Sequence, residues 1–193
     1  VPAIIHAWFP GEFGGQAIAE ALFGDYNPGG RLAVTFPKSV GQIPFAFPFK
    51  PGSDESSETS VYGALYPFGH GLSYTTFQYS DLVISPSKQG VQGNISISCT
   101  IKNIGQREGD EVVQLYLRDE VSSVTTYTQV LRGFERITLK PEASHTVHFE
   151  LTPQELGIWD KQMNFTVEPG MFKVMIGSSS KDIRLKGEFE IAQ

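Results

Sequence analysis

Ile95-Ser96-Ile97-Ser98-Cys99-Thr100-Ile101 decides the fold. Apolar and small polar residues alternate along it, so every second side chain falls on one side of an extended chain. Such a strand keeps one face in a core and turns the other to water. Cys99 is in phase with the isoleucines and reads as a small core hydrophobe, not a nucleophile. The alternation returns at Val113, Leu115 and Leu117, then at Val147, Phe149 and Leu151. Phe172, Val174 and Ile176 repeat it, followed by Ile183, Leu185, Phe189 and Ile191. Turn residues separate these runs at Asn103-Ile104-Gly105, Lys140-Pro141-Glu142, Glu168-Pro169-Gly170 and Gly177-Ser178-Ser179-Ser180. Short strands at this spacing predict an immunoglobulin-like, fibronectin type III-like β-sandwich over 77–193, with strands and turns only.

Upstream the texture changes. Ala3-Ile4-Ile5-His6-Ala7-Trp8 is nearly continuous apolar sequence, the pattern of a strand buried on both faces of an α/β sheet. Gly14 to Phe23 reads as a helix, with Ala17, Ile18, Ala21 and Leu22 on one stripe, Gln16 and Glu20 opposite, and Gly24 as the stop. Asp25-Tyr26-Asn27-Pro28-Gly29-Gly30 is dense turn chemistry, and Leu32 to Phe36 is expected to form one more short strand. One strand and one helix bury too little surface to stand alone, so 1–49 reads as the closing piece of a larger α/β unit. Residues 50–76 read as a surface loop and linker, polar from Lys50 to Thr59.

Composition excludes several function classes. Among 193 residues, 40% are hydrophobic and 12% aromatic, ample for a packed core, and 19% are charged, which argues against wholesale disorder. The net charge of -6, without any Lys/Arg run, disfavours nucleic-acid and anionic-membrane partners. No apolar stretch approaches the roughly 20 residues of a membrane-spanning helix. A single cysteine forbids an intrachain disulfide and says little about compartment. Val1-Pro2-Ala3-Ile4-Ile5-His6-Ala7 lacks an initiator Met and a basic leader. It reads as the interior of a longer chain, cut by processing, proteolysis or choice of boundary.

Six longer strings carry more than local structure. They are Trp8 to Leu32 (WFPGEFGGQAIAEALFGDYNPGGRL) leading to Thr35-Phe36-Pro37, and Leu65 to Phe77 (LYPFGHGLSYTTF). Lys102-Asn103-Ile104-Gly105 and Glu111 to Leu117 (EVVQLYL) come next, then Leu131 to Arg136 (LRGFER) and Val167 to Phe172 (VEPGMF). In this order they resemble the C-terminal portion of glycoside hydrolase family 3, of the bacterial periplasmic β-glucosidase type. The resemblance covers essentially the whole chain and implies a tail of the family's α/β sandwich domain followed by its fibronectin type III-like domain. It also implies a retaining, exo-acting β-glucosidase as the parent protein, periplasmic or extracellular and without a cofactor. Retaining glycosidases hold two carboxylates about 5–5.5 Å apart. In the family these lie on the N-terminal barrel and in the upstream α/β sandwich domain, so the resemblance assigns no catalytic residue to this chain. The implied partners are the remaining domains, joined covalently or as a nicked second chain, a β-glucoside substrate, and a second copy in a homodimer. The same tail on a β-xylosidase is an alternative.

Glu12 before the helix and Asp25 after it are ordinary turn and helix-end acids, and Arg31 is expected to pair with Asp25. His145 and His148 fall on opposite faces of a strand, poor geometry for a shared metal. His6 sits in the apolar first segment, and His70 stands where the family string more often has Tyr or Phe. None of the four is expected to bind a metal. Trp8, Tyr62, Tyr66, Tyr74, Tyr116, Tyr127 and Trp159 invite stacking on a sugar ring, but most are expected in the core or at a domain interface; Tyr62 is the exception, a rim residue because it closes the polar loop. The loop lacks the Tyr-Arg-aromatic segment that the family often has there. Asn94-Ile95-Ser96 and Asn164-Phe165-Thr166 match the N-glycosylation sequon, relevant only in a eukaryotic secretory host. The Phe-Gly-His-Gly of 68–71 is no phosphate cradle, since no helix follows it. It reads as the joint between two parts of the chain. Two rival functions remain open at this level: a non-catalytic carbohydrate-binding or adhesion module, and a small autonomous enzyme using Glu12 and Asp25.

Overall fold

The structure, a computed structural model, describes residues 3–53, 55–56 and 61–193. Eight strands build a β-sandwich: β1 (Phe77–Ser85), β2 (Lys88–Gly90), β3 (Ile95–Asn103), β4 (Gly109–Asp119), β5 (Val130–Leu139), β6 (Ser144–Leu151), β7 (Gly170–Gly177) and β8 (Ile183–Ala192). One sheet has the order β6-β3-β1 and the other β2-β8-β7-β4-β5. All pairings are antiparallel except β2 on β8.

The alternation that announced the fold sets the core. Ile95, Ile97, Cys99 and Ile101 are fully buried, and Ser96, Thr100 and their neighbours lie on the other face. Val147 and Leu151 join them from β6. Facing them are Val113, Leu115 and Leu117 from β4 and Phe172, Val174 and Ile176 from β7. Phe172 and Phe189 are directly opposed across β7 and β8, with rings stacked at 5.4 Å and 5°. Each fully buried aliphatic or aromatic side chain here contributes about 1.5–3 kcal/mol by leaving water.

Several expectations need correction. The sandwich is not strands alone: Pro153–Leu156 forms one helical turn, α2. Thr152 caps it and Glu155 returns a bond to the Thr152 N–H, a capping box with Pro at the first position. The strand expected at Ala3 to Trp8 does not form, and Ile4, Ile5 and Trp8 are exposed. A doubly buried strand requires neighbours on both edges and layers on both faces, and no described residue supplies them. Leu32 to Phe36 is a strand only at its last residue, because Phe36–Pro37 pairs with Ala64–Tyr66. Leu32 instead exchanges backbone bonds with Gly69 and His70.

The first helix, α1 (Gly14–Phe23), forms as predicted, and Gly24 ends it at φ 83°. Its apolar stripe is not covered. Only Gly14 and Ala21 are buried, while Leu22 and Phe23 are exposed. In the polar loop, Glu55–Ser56 pairs with Val61–Tyr62, and residues 54 and 57–60 lie outside the described residues. Among the described residues no helix is long and apolar enough to cross a membrane.

Candidate functional site

The densest polar assembly lies where the segments around Asn27–Arg31 and Tyr66–Thr75 meet β4. It begins with a strand buried on both faces. β4 alternates at Val113, Leu115 and Leu117, and the intervening Gln114 and Tyr116 are buried as well. Phe47, Phe68 and Gly69 cover them: Phe47 stacks on Phe68 at 4.6 Å and stands edge-on to Tyr116 at 5.7 Å. The Gln114 Nε2 donates to the carbonyls of Gly69 (3.2 Å) and Ser178 (2.6 Å), and the Tyr116 hydroxyl donates to Gln114 Oε1. A buried amide with its hydrogen bonds made fixes one docking of the linker, because any shift would orphan it.

Arg31 provides the second tie. Its Nη2 donates to Glu111 Oε1 at 2.8 Å, with side chains only 7% and 5% exposed. This corrects the expected pairing with Asp25, which is exposed. Local turn geometry suggested the nearer acid; burial selected the distant one, since a guanidinium carried beneath the linker needs a buried counter-charge. Burial holds the Glu111 carboxyl above the usual carboxylate range, against the opposing effect of Arg31.

Asn27 and Asn103 complete the joint. Asn27 accepts from the Tyr74 N–H (2.8 Å) and the Ser73 hydroxyl (3.2 Å) and donates to the Glu108 carbonyl (3.1 Å). The Tyr74 hydroxyl donates to the Ala21 carbonyl at the end of α1 (2.7 Å). Asn103, fully buried, donates to the Arg107 and Leu139 carbonyls and accepts from Thr75 and Gly105.

The glycines of the linker follow from this crowding. A Cβ on Gly69, which has φ 81°, would collide with the Gln114 amide, and one on Gly71 would collide with the Gly30 carbonyl oxygen. Between them His70 stacks on Tyr66 at 5.3 Å and 14°. Burial, then nearby Arg31, lowers its pKa, with Asp182 opposing. The imidazole is therefore neutral at pH 7 and serves as a flat ring, the property shared by the aromatics more usual in that string.

The remaining candidates are dispersed. Glu12 is exposed, as is Asp25 at the far end of α1. Tyr62 lies opposite Glu55 in the short hairpin, and its side chain lies outside what the structure describes. His145 is 3.6 Å from Glu135, and exposed His148 lies opposite Ser98. His6 stands edge-on to Trp8 at 4.3 Å. Burial pushes the Cys99 thiol up to about 11, so it is neither thiolate nor reachable. Among the described residues no group of three or more His, Cys, Asp or Glu is arranged to hold a metal ion.

Asp119 and Glu168 flank one loop. Burial raises Asp119, while hydrogen bonds from Ser123 lower Glu168. Both accept from the 121–123 backbone, which makes them staples of one loop. An open hollow of about 800 Å³ borders Phe49, Arg118, Lys173 and Lys181. Glu120 bonds Lys173 and Arg118, and Lys181 lies 5.3 Å over the Phe49 ring, so its cations are largely engaged.

Comparison with known proteins gives this joint a context. Residues 1–74 match the glycosyl hydrolase family 3 C-terminal domain, and residues 111–180 match the fibronectin type III-like domain. A periplasmic β-glucosidase of Salmonella typhimurium is 44% identical over 201 residues, covering 98% of this chain and 26% of that protein. The chain belongs to glycosyl hydrolase family 3. This family 3 chain is also 42% identical to a β-xylosidase of Formosa agariphila, over 96% of its own length and 26% of that protein. A solved β-glucosidase from Erythrobacter marinus superposes with a TM-score of 0.91 at 40% identity, covering 96% of this chain and 25% of that one. A β-glucosidase from Listeria innocua, solved with glucose, gives 0.88 at 32% identity, covering 97% and 28%. The chain thus spans about a quarter of the length of the relatives it matches.

In the sequence Glu111 and Gln114 carry no predicted role, and Asn27 and Asn103 read only as turn residues. Their signal is polar residues where the strand or turn pattern needs none: Gln114 and Glu111 within an otherwise apolar strand, and Asn103 closing a run of buried isoleucines.

Proposed function

We propose that this chain is the C-terminal part of a retaining, exo-acting β-glucosidase that releases terminal non-reducing β-D-glucosyl residues, and that it braces the domains performing the chemistry. The reading divides the chain into a 1–49 piece of the α/β sandwich domain, a 50–76 loop and linker, and a 77–193 fibronectin type III-like domain. Both catalytic carboxylates belong to the rest of the enzyme. The observation that carries the bracing role is the buried Arg31–Glu111 pair, which ties the segment after α1 to β4. Apolar Phe9, Phe13, Leu22 and Phe23, exposed around α1, supply a face for the remaining domains, whether one chain or a nicked second one. Tyr62 is proposed at the active-site rim, and a homodimer is the proposed assembly. The periplasmic relative supports a periplasmic or extracellular location.

The test is hydrolysis of an aryl β-glucoside by the full-length enzyme, with the anomer of the first product followed by NMR. β-Glucose should appear first, and this chain alone should release none. Turnover by the isolated chain, or first release of α-glucose, would sink the reading. The β-xylosidase relative supports a second reading, the same tail on a β-xylosidase. Comparing kcat/KM on aryl β-glucoside and aryl β-xyloside separates the two.

A further inference from the structure

Away from the joint, Ile158–Trp159 and Phe165–Thr166 form a two-stranded hairpin. Its tip is tightly built. Asp160 Oδ1 accepts from the backbone N–H of Gln162 and of Asn164, each at 2.8 Å, and the Asp160 N–H donates to the Asn164 carbonyl at 3.0 Å. Beneath it Gly157 is buried against the Phe165 ring, where a Cβ would collide with it. So firm a scaffold would be expected to hide its aromatics. Instead Trp159 is 59% exposed and Phe165 47%. Their rings are 5.5 Å apart and inclined at 61°, one broad face with a second ring as a side wall.

The two rings border an open cleft of about 670 Å³ shared with Val91, Gln92, Gln154 and Thr166. Gln92 and Gln154 are exposed, and neither side-chain amide finds a partner among the described residues. No charged residue lines the cleft. A face of C–H and ring carbon beside unpaired amide donors and acceptors, without charge, matches one chemistry. A pyranose ring has an apolar C–H face that lies on an indole, and a rim of hydroxyls that bond to amides. A charged ligand would find no counter-ion there, and a purely apolar one would strand the amides.

We propose that this cleft is an ancillary, non-catalytic binding site for a neutral glycan chain, with Trp159 as the stacking platform, Phe165 as its wall, and Gln92 and Gln154 as hydroxyl partners. The site holds polysaccharide near an enzyme that cleaves chain ends. It rests on the proposed function only for the choice of a β-glucan as probe.

The experiment is affinity electrophoresis of the full-length protein in native gels containing soluble mixed-linkage β-glucan, with aryl β-glucoside turnover measured in parallel. The wild type should be retarded. Trp159→Ala should lose the retardation, reading as an affinity weaker by about tenfold or more, with turnover unchanged. Trp159→Phe, which keeps a ring, should recover part of it. If Trp159→Ala does not fold, the exposed pair Gln92→Ala/Gln154→Ala decides, since neither amide supports the fold. An unretarded wild type, as when another domain covers the cleft, overturns the proposal, and so does equal retardation of the variants. Failure of the proposed function would show separately, as absent aryl β-glucoside turnover with retardation intact.

Discussion

At the residue scale, Arg31 and His70 show how little of a side chain's role is fixed by its formal chemistry. Burial already makes ionised Glu111 costly, so the pair with Arg31 contributes little net stability, while breaking it from one side is expensive. Arg31→Ala should destabilise the protein by about 3–5 kcal/mol, and Arg31→Met with Glu111→Leu should recover most of it. Urea unfolding of the single and double variants measures this; an additive double variant would refute the coupling. His70 gives a pH dependence. Its folded pKa lies below the ordinary 6.5, so protonation favours the unfolded chain. Its contribution is fully present above 6.5 and is lost as pH falls through the lower folded value. His70→Phe keeps the flat ring and removes the proton site. Its Tm should therefore match the wild type at pH 7.5 and decline less between pH 6.5 and 5. Parallel Tm curves for the two proteins would show that His70 is not the responsible group.

At the element scale, the legible strands were those whose apolar residues alternate, β4 included although both its faces are buried, and the missed ones lack that pattern. β3 alternates cleanly because its outer face meets water. β5 does not read as a strand from its sequence. It is an edge with Leu131, Arg132 and Gly133 all half-buried, so no period appears until Ile137 and Leu139. β1 was missed for a related reason, an irregular pairing between Ser80 and Val83. α2 was announced by Thr152-Pro153-Gln154-Glu155, a cap signal too short to show periodicity. The candidate site was less legible than the fold. Gln114 and Tyr116 acquire their role only when a linker over forty residues upstream folds over them, a contact no local window contains. That linker carries its own prediction. Gly71→Ala drives a Cβ into the Gly30 carbonyl, which is backbone and cannot swing aside. A loss of about 1–3 kcal/mol is expected, the cost of overpacking, read as a lower urea midpoint; an unchanged midpoint would mean that the linker can yield. α1 predicts the opposite behaviour. It has ten residues, no side-chain cap and no first-turn acid, and helices this short are marginal without packing. In this chain alone its amides should exchange with deuterium far faster than those of β3 and β4. Equal protection would mean that α1 is held by more than the Tyr74 and Arg107 contacts to its C-terminal end.

At the scale of the whole molecule, two kinds of surface coexist. The sandwich has its core closed between two sheets, whereas Ile4, Trp8, Phe9, Phe13, Leu22 and Phe23 stand in water on the segment before the joint. Scattered exposed apolar residues are ordinary, but such a concentration within twenty residues suits a surface that another domain covers. The same side chains should therefore matter differently in two settings. In this chain alone, Phe9→Ser with Phe23→Ser removes surface that contacts nothing: Phe9 is 98% exposed and Phe23 84%. The unfolding free energy should move by no more than about 0.5 kcal/mol, while self-association in sedimentation experiments falls. In the full-length protein these rings would be buried against the remaining domains, and Phe→Ser there leaves cavities lined by stranded hydroxyls. The pair should then lower Tm markedly and reduce turnover, with kcat and not KM carrying the change if the domains are merely loosened. A full-length double variant as stable as its parent would show that the α1 face is not the docking surface, and the bracing would then rest on the Arg31–Glu111 joint alone.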